Sequence, residues 1–204
     1  MINWNSYEIY DPGVFGPLNT LPRAEARGAY KRLMAAKPAR IEMLRQLLQA
    51  NGMELSSSDD GLLELNVWFF ANVEPDPEKP GWLLPEWYSV VNDIGLFLGE
   101  VMIERCPGLH WEFFIWGQKD FGYQQPVIMG FSQVPYPKYS FAIAPTIAGF
   151  AHRIVANRGS VAIEGKVTVR GVEIDIDAAN ASFRDQPIAN DWFVRWVKIA
   201  ESEA

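Results

Sequence analysis

The sequence predicts an α+β fold in which N-terminal helices and a long central helix pack on a mixed or antiparallel sheet. Apolar residues recur at helical spacing up to about residue 105, whereas short aromatic and β-branched runs, typical of strands, follow. Helices first and strands later indicate the α+β class. A length of 204 residues and an apolar content of 49% suit one domain with a substantial core, which we predict to span residues 1–204.

The chain before the central helix divides into a lead-in, three helices and a loop. Residues 1–22 are rich in Gly and Pro and predict an extended or looped lead-in. Helices are expected over about residues 23–36 and 38–50, the second ending at an Asn-Gly pair, which is a favoured helix stop. A third helix is expected after Ser58, whose hydroxyl suits an N-cap. Residues 73–81 form a polar, proline-rich loop.

The central helix is predicted to begin at Pro85 and to end before Pro107. It is apolar on nearly every side, which is typical of a helix enclosed by the rest of its domain. Gly95 and Gly99 lie one turn apart and allow another backbone to approach closely. One narrow stripe is polar and also carries Phe97; its members are Glu86, Ser89, Asp93, Glu100 and Glu104.

The second half of the chain predicts strands and two further helices. Residues 109–116 and 126–131 are expected to be strands. Residues 141–156 predict a helix, and alternating apolar residues around the pair 170–171 predict a β-hairpin. A short final helix is expected over residues 188–199.

The composition indicates the cellular compartment in which we expect the protein. Cys106 is the sole cysteine, so an internal disulfide is impossible and a reducing compartment fits. The first residues lack the pattern of a signal peptide, and no apolar run reaches the roughly 20 residues that span a membrane. We therefore expect a soluble, cytoplasmic protein with no membrane partner.

Charge is unevenly distributed along the chain, whose net charge is −7. Residues 1–52 carry seven basic and four acidic side chains, and residues 53–104 carry eleven acidic side chains and one base, Lys79. We favour an internal match between the two parts, or simple solvation, over two outward faces with different partners.

Signatures of metal, cofactor and nucleophile chemistry are absent from the sequence. His110 and His152 stand alone, no CxxC or GxSxG motif occurs, and neither phosphate-binding glycine pattern is present. Cys106 lies at the predicted end of the central helix, where the helix dipole disfavours a thiolate. We therefore expect no metal and no cofactor.

Asp93 and Glu100 are the best candidates for acid–base chemistry. They are seven residues apart, about 10.5 Å along a helix axis, which is long for a carboxylate pair. Partial burial would raise the pKa of either carboxyl and suit it to proton transfer. The alternative, which we favour, is that both bind neighbouring backbone or arginines of the first helix.

A basic cluster in the first helices raises the question of nucleic-acid binding. An isoelectric point near 4.9 argues against it, and we expect a solvated helix face and no nucleic-acid partner. The cluster comprises Arg23, Arg27, Lys31, Arg32, Lys37, Arg40 and Arg45.

An acidic stretch with an aromatic anchor predicts a surface for a basic protein partner. Its candidate binding residues are Asp59, Asp60, Glu64, Glu74, Asp76, Trp82 and Glu86.

The central segment resembles small bacterial domains of the immunity-protein class that is associated with polymorphic toxins. The resemblance rests on residues 87–100, which end in Leu-Gly-Glu, and on the Pro-Gly-Leu-His-Trp run that ends at Trp111. It implies an α+β fold in a bacterial cytoplasm and no catalytic residues.

The leading functional hypothesis is accordingly non-enzymatic binding of another protein, in the manner of an immunity or antitoxin-like neutraliser. The alternative is a small-molecule binder or hydrolytic enzyme that uses Asp93, Glu100 and aromatic walls from Trp87, Trp111 and Trp116.

Overall fold

The computed structural model describes residues 2–158, the strand residues 166–169 and 172–175, and residues 191–204. The helices in these parts of the chain are α1 (Arg23–Ala50), α2 (Asp59–Asn72), α3 (Pro85–Arg105), α4 (Ile143–Arg158) and α5 (Trp192–Glu203), with a 3-10 turn at Leu18–Thr20. The strands are β1 (His110–Phe113), β2 (Pro126–Met129), β3 (Lys166–Val169) and β4 (Val172–Asp175). The protein is therefore of mixed α+β type, with helices predominant.

The prediction of two helices on either side of Pro38 is wrong, because α1 runs unbroken through this residue. Proline has no N–H to donate to the carbonyl of Met34, and an interior proline costs about 3 kcal/mol. The buried stripe of α1 nevertheless continues on both sides, from Leu33 to Arg40 and Leu44, and α1 packs against α3. Packing along the whole length of the helix outweighs the local cost.

The starts of α2 and α3 confirm the predictions made from their first residues. Ser58 Oγ accepts a hydrogen bond from the backbone N–H of Gly61 at 3.1 Å, which caps α2. Pro85 occupies the first turn of α3, where a missing N–H costs nothing because that group has no partner within the helix.

α3 is enclosed, as its apolar character predicts. Thirteen of its 21 residues are buried, and α1, α4 and α5 are its main neighbours. A Cβ on Gly95 would lie 3.0 Å from Ala144 Cβ, so this glycine permits the close approach of α4. One hydrophobic cluster contains residues from all five helices. Within the described residues, no helix is both long and apolar enough to cross a bilayer.

The described sheets are smaller than the sheet predicted. β1 and β2 form an antiparallel pair in which Trp111 lies opposite Ile128, and Phe141 adds a single bridge to Ile128. β3 and β4 form a separate antiparallel pair, which confirms the predicted hairpin strands; their turn, at residues 170–171, lies outside the described residues. Helices rather than strands therefore provide the principal surroundings of α3.

The lead-in is confirmed as an extended segment, and it is bound to the helices. We call residues 2–21 the strap. Its carbonyl groups accept hydrogen bonds from side chains of α1: Asn51 Nδ2 donates to Asn3 O at 2.9 Å, Arg40 Nη1 to Glu8 O at 2.8 Å, and Arg32 Nη2 to Pro12 O at 2.8 Å.

Candidate functional site

Asp93, the first candidate for acid–base chemistry, lies in an ion pair between α1, α3 and the strap. Its exposed fraction is 0%. Arg40 donates from Nε to Oδ1 at 2.9 Å and from Nη2 to Oδ2 at 2.6 Å, the two-point geometry that best joins a guanidinium to a carboxylate. The Tyr7 hydroxyl donates to Oδ2 at 2.5 Å, and Arg40 Nη2 also donates to Ser89 Oγ at 3.0 Å. We call these four side chains the buried polar network.

The surroundings of Tyr7 in this network keep its hydroxyl protonated. Burial, followed by repulsion from Asp93, raises the pKa of the Tyr7 phenol far above its ordinary value, so the hydroxyl remains a neutral donor. Burial, the largest single effect, lowers the pKa of Arg40, but the hydrogen bonds and charge interactions with Asp93 and Tyr7 together outweigh it and raise the pKa overall. Burial also raises the pKa of Asp93, and the hydrogen bonds from Arg40 and Tyr7 oppose that shift. Both oxygens of Asp93 thus accept hydrogen bonds, Oδ1 from Arg40 and Oδ2 from Arg40 and Tyr7.

Glu100, the second candidate, lies outside the buried polar network and has other partners. Its Oε1 accepts from Lys37 Nζ at 2.5 Å and from Trp111 Nε1 at 2.8 Å. A Cβ on Gly99 would lie 2.0 Å from Trp111 Cζ2, so only glycine leaves room for this indole. Both carboxylates are thus paired with cations of α1, which agrees with the structural alternative.

The three tryptophans of the enzymatic alternative lie in different surroundings. Trp87 is 0% exposed and belongs to the core, and Trp111 is half-buried. Trp116 is 47% exposed and lies beneath Lys138 Nζ, 4.5 Å from its ring centre. They do not form the walls of one pocket around the carboxylates.

Part of the basic cluster of α1 forms the solvated face that we expected, since Arg23, Arg27, Lys31 and Arg32 are exposed. Arg40 is 7% exposed, Lys37 pairs with Glu100, and Arg32 binds the strap. The Arg27 guanidinium lies 4.8 Å from the Phe113 ring centre, and Arg45 pairs with Glu42. Two pairs from α1 to α3, Lys37–Glu100 and Arg40–Asp93, match the basic part to the acidic part internally. The exposed residues of the cluster agree with the other possibility, simple solvation.

Asp59, the first of the predicted binding residues, lies in an ion-pair cluster between helices. Arg105 Nη1 lies 2.7 Å from its Oδ1 and 2.9 Å from Glu201 Oε1, and Lys198 Nζ lies 3.0 Å from its Oδ2. Hydrogen bonds from Arg105 and then Lys198 lower the pKa of Asp59, and the hydrogen bond from Arg105 lowers that of Glu201. The cluster connects α2, α3 and α5, so Asp59 is already paired with two cations of the protein.

The remaining predicted binding residues form two groups at opposite ends of α2. Asp60 and Glu64 are exposed on its outward face, which also carries Leu63, 40% exposed, and Val67, 47% exposed. The second group follows the helix: Glu74 is exposed, Asp76 and Glu86 are half-exposed, and Trp82 is 60% exposed. The backbone of Asp76 donates to Trp82 O at 2.8 Å, which holds this loop as a hairpin. Among the described residues, none of these five carboxylates forms an ion pair.

Sequence reasoning missed a cleft of about 540 Å³ beneath the strap. The strap covers it, and α1, α3, α4, β1 and the beginning of β2 form the other walls. Residues that line it include Tyr10, Pro12, Val14, Ala29, Tyr30, Leu33, Tyr88, Asn92, Leu96, Trp111, Pro126 and Ala148. The lining is distributed from residue 9 to residue 148, so no common spacing could reveal it. The one local signal is the apolar alternation at Tyr10, Pro12 and Val14, typical of an extended segment with one buried side.

The lining of the cleft contains no charged side chain. The Tyr10 hydroxyl is buried and has no hydrogen-bond partner among the described residues. Burial, as the largest effect, raises the pKa of Tyr10 and of Tyr30, so both phenols remain protonated at neutral pH.

Cys106, His110 and His152 are not grouped into a reactive site. Cys106 is buried, and burial raises the pKa of its thiol, which agrees with the expected inert cysteine. His110 Nδ1 lies 3.5 Å from Gly108 O, and His152 Nε2 lies 3.4 Å from the Tyr88 hydroxyl. Within the described ranges, no three Cys, His, Asp or Glu side chains are arranged to hold a metal ion.

No family model matches the chain, and no curated protein or solved structure matches it.

Proposed function

We propose that this is a non-catalytic protein that binds a basic partner protein along α2 and the loop after it, in the manner of an immunity or antitoxin-like neutraliser. The observation that carries the proposal is a set of carboxylates that form no ion pair with any described residue and lie beside exposed apolar side chains. We call this set the acidic surface: Asp60, Leu63, Glu64, Val67, Glu74, Asp76, Trp82 and Glu86.

The charges of the acidic surface are available to a partner. Carboxylates that already face an internal cation, such as Asp93 and Glu100, contribute little outward field, whereas those of the acidic surface have no such partner among the described residues. Lys79 is the one base between residues 53 and 104. Unneutralised charge of one sign attracts an oppositely charged protein and accelerates its association.

The dimensions of the acidic surface suit a protein rather than a small molecule. α2 has 14 residues and is therefore about 21 Å long, which separates the two carboxylate groups by most of that length. A specific protein interface buries about 800 Å² on each partner. A patch of this area is about as wide as α2 is long. Exposed Trp82 supplies the kind of aromatic anchor that dominates binding energy at such interfaces.

The positions of the acid–base candidates support a non-catalytic role. Asp93 is fully enclosed and bound to Arg40, and Glu100 binds Lys37 and Trp111. Neither carboxylate is directed into the cleft as a free acid or base.

Charge reversal tests the proposal. The double variant Glu64→Lys/Glu74→Lys changes one carboxylate in each group, and Glu25→Lys/Glu112→Lys is its matched control, because it makes the same charge change at exposed positions elsewhere. Each protein is immobilised and exposed to lysate of the source cells, and retained proteins are identified by mass spectrometry. We expect a basic protein retained by the wild type and the control, and lost from the first variant.

Two further readouts separate specific docking from general attraction. Salt should release the partner progressively, since exposed charges are screened within about 8–10 Å at physiological ionic strength. Trp82→Ala should weaken binding of the isolated partner by about 2 kcal/mol or more if Trp82 is the anchor. Equal retention of the same protein by all charge variants would exclude the acidic surface as its docking site.

A further inference from the structure

We infer that the cleft beneath the strap binds a neutral, flat, largely apolar small molecule that carries a hydrogen-bond-accepting oxygen. The cleft and the acidic surface are made by different residues, so this inference does not depend on the proposed function, and either can fail without the other.

The size of the cleft is the first argument. Its volume of about 540 Å³ lies within the range of roughly 300–1,000 Å³ that is typical of small-molecule pockets. Its walls come from the strap, three helices, β1 and the beginning of β2, so a molecule inside it would be enclosed on several sides. Binding to apolar walls of this extent is favourable, because the ligand displaces the water that contacts them.

The absence of charge in the lining selects a neutral ligand. No Asp, Glu, Lys, Arg or His side chain lines the cleft. Among the ionised groups beside the lining, Asp93 and Arg40 are bound to each other in the buried polar network, and Arg32 donates to the carbonyl of Pro12. An ionic ligand would lose its hydration and meet no opposite charge in the walls.

One unsatisfied polar atom selects an acceptor on the ligand. The Tyr10 hydroxyl is buried and lacks a partner among the described residues, and burial keeps it protonated and therefore able to donate. Tyr10 belongs to the strap, and its backbone N–H donates to Ser89 Oγ of α3 at 2.8 Å. The hydroxyl is enclosed by the wall, so a carbonyl or ether oxygen would reach it only if the strap adjusts.

The aromatic walls favour a flat ring system. Tyr10, Tyr30, Tyr88 and Trp111 all line the cleft, and they come from the strap, α1, α3 and β1. Aromatic side chains pack against planar rings by stacking or edge-to-face contact. Together the volume, the neutral lining, the free Tyr10 hydroxyl and the aromatic rings define the ligand class.

Two fluorescent probes test each part of the inference. Nile red is neutral, flat and bears a carbonyl, whereas N-phenyl-1-naphthylamine is neutral and has no carbonyl. Both are titrated into the full chain, and we expect saturable one-to-one binding with increased, blue-shifted emission. Tyr10→Phe removes only the hydroxyl; it should weaken Nile red by roughly five- to tenfold and leave N-phenyl-1-naphthylamine within about twofold.

A variant that fills the cleft tests its location. Ala148→Phe places a ring in the cleft and should weaken both probes by about tenfold or more, whereas Ala35→Phe, at an exposed position of α1, is the matched control. If circular dichroism shows that Ala148→Phe does not fold, the same measurement is made with Val14→Phe, which fills the cleft from a half-buried position of the strap.

The inference is overturned if neither probe binds saturably, if binding exceeds one probe per chain, or if the filled variant binds both probes as the control does. An unchanged Nile red affinity in Tyr10→Phe would remove the acceptor from the proposed ligand class. Loss of probe binding in the charge-reversed variant would show that the two sites are not separate.

Discussion

Replacement of Asp93 by asparagine removes the charge that balances Arg40 in the buried polar network and nearly preserves the side chain's shape. Arg40 is 7% exposed, so its guanidinium would remain enclosed opposite a neutral amide. Removal of one partner from a buried ion pair costs about 3–5 kcal/mol, because the other charge is left uncompensated. For an m-value of about 2 kcal/mol/M, the urea midpoint should decrease by roughly 1.5–2.5 M.

Two variants separate the charge effect from general disruption of the interface. Tyr7→Phe removes one hydrogen bond to a carboxylate, and we expect a cost of about 1.5–3 kcal/mol. The double variant Arg40→Met/Asp93→Leu removes both charges, so it should be less destabilised than Asp93→Asn alone. All are compared by urea unfolding monitored through tryptophan fluorescence.

A midpoint decrease below about 0.5 M for Asp93→Asn would refute this reasoning, because about 1 kcal/mol is typical of an exposed ion pair. A double variant less stable than the single one would also contradict it, since apolar packing would then have failed to replace the ion pair.

The remaining predictions concern other elements. Gly99→Ala should destabilise the protein by about 1–3 kcal/mol and change its near-ultraviolet circular dichroism, because the new methyl group displaces Trp111. Ser58→Ala should lower the free energy of unfolding by about 1 kcal/mol through loss of the α2 cap, and Ser58→Asp should largely restore it. Arg105 lowers the pKa of Glu201 from an ordinary value of 4.5, so this contact stabilises the folded state above pH 4.5 and is lost as pH falls through the lower folded-state value. Unfolding measured from pH 6 to 3 should therefore lose stability more steeply in the wild type than in Arg105→Gln.

Local chemistry predicted the boundaries of several elements, because those signals depend on neighbouring residues. Ser58 caps α2 and Pro85 begins α3 as expected, and the antiparallel pair β1–β2 lies where aromatic and β-branched residues cluster. Pro38 is the exception. Its local cost is real, but the sequence does not show that α3 would pack on both halves of α1.

The site was less predictable because its residues meet only in the tertiary structure. The spacing of Asp93 and Glu100 on α3 was visible in the sequence, but their partners Arg40 and Lys37 are 53 and 63 residues away. Arg40 belonged to a run of basic residues that looked solvated, since helical periodicity alone does not identify which cation meets a buried carboxylate. The cleft could not be predicted for the same reason, because its walls come from elements that share no sequence pattern.

The strap has a consequence for the order in which the protein can be completed during synthesis. Tyr7 binds Asp93 across 86 residues, and Gln124 donates to Leu18 O across 106 residues. The strap is therefore made well before the groups that hold it, and closure of such long loops is expected late in folding. Since Ala148 forms part of the cleft wall, the cleft cannot exist on a nascent chain until α4 has left the ribosome. Tyr7 has no partner until Asp93 in α3 has been made, and the cleft around Tyr10 stays incomplete until α4 follows. A chaperone that binds extended aromatic segments would therefore find its target at this end of the chain.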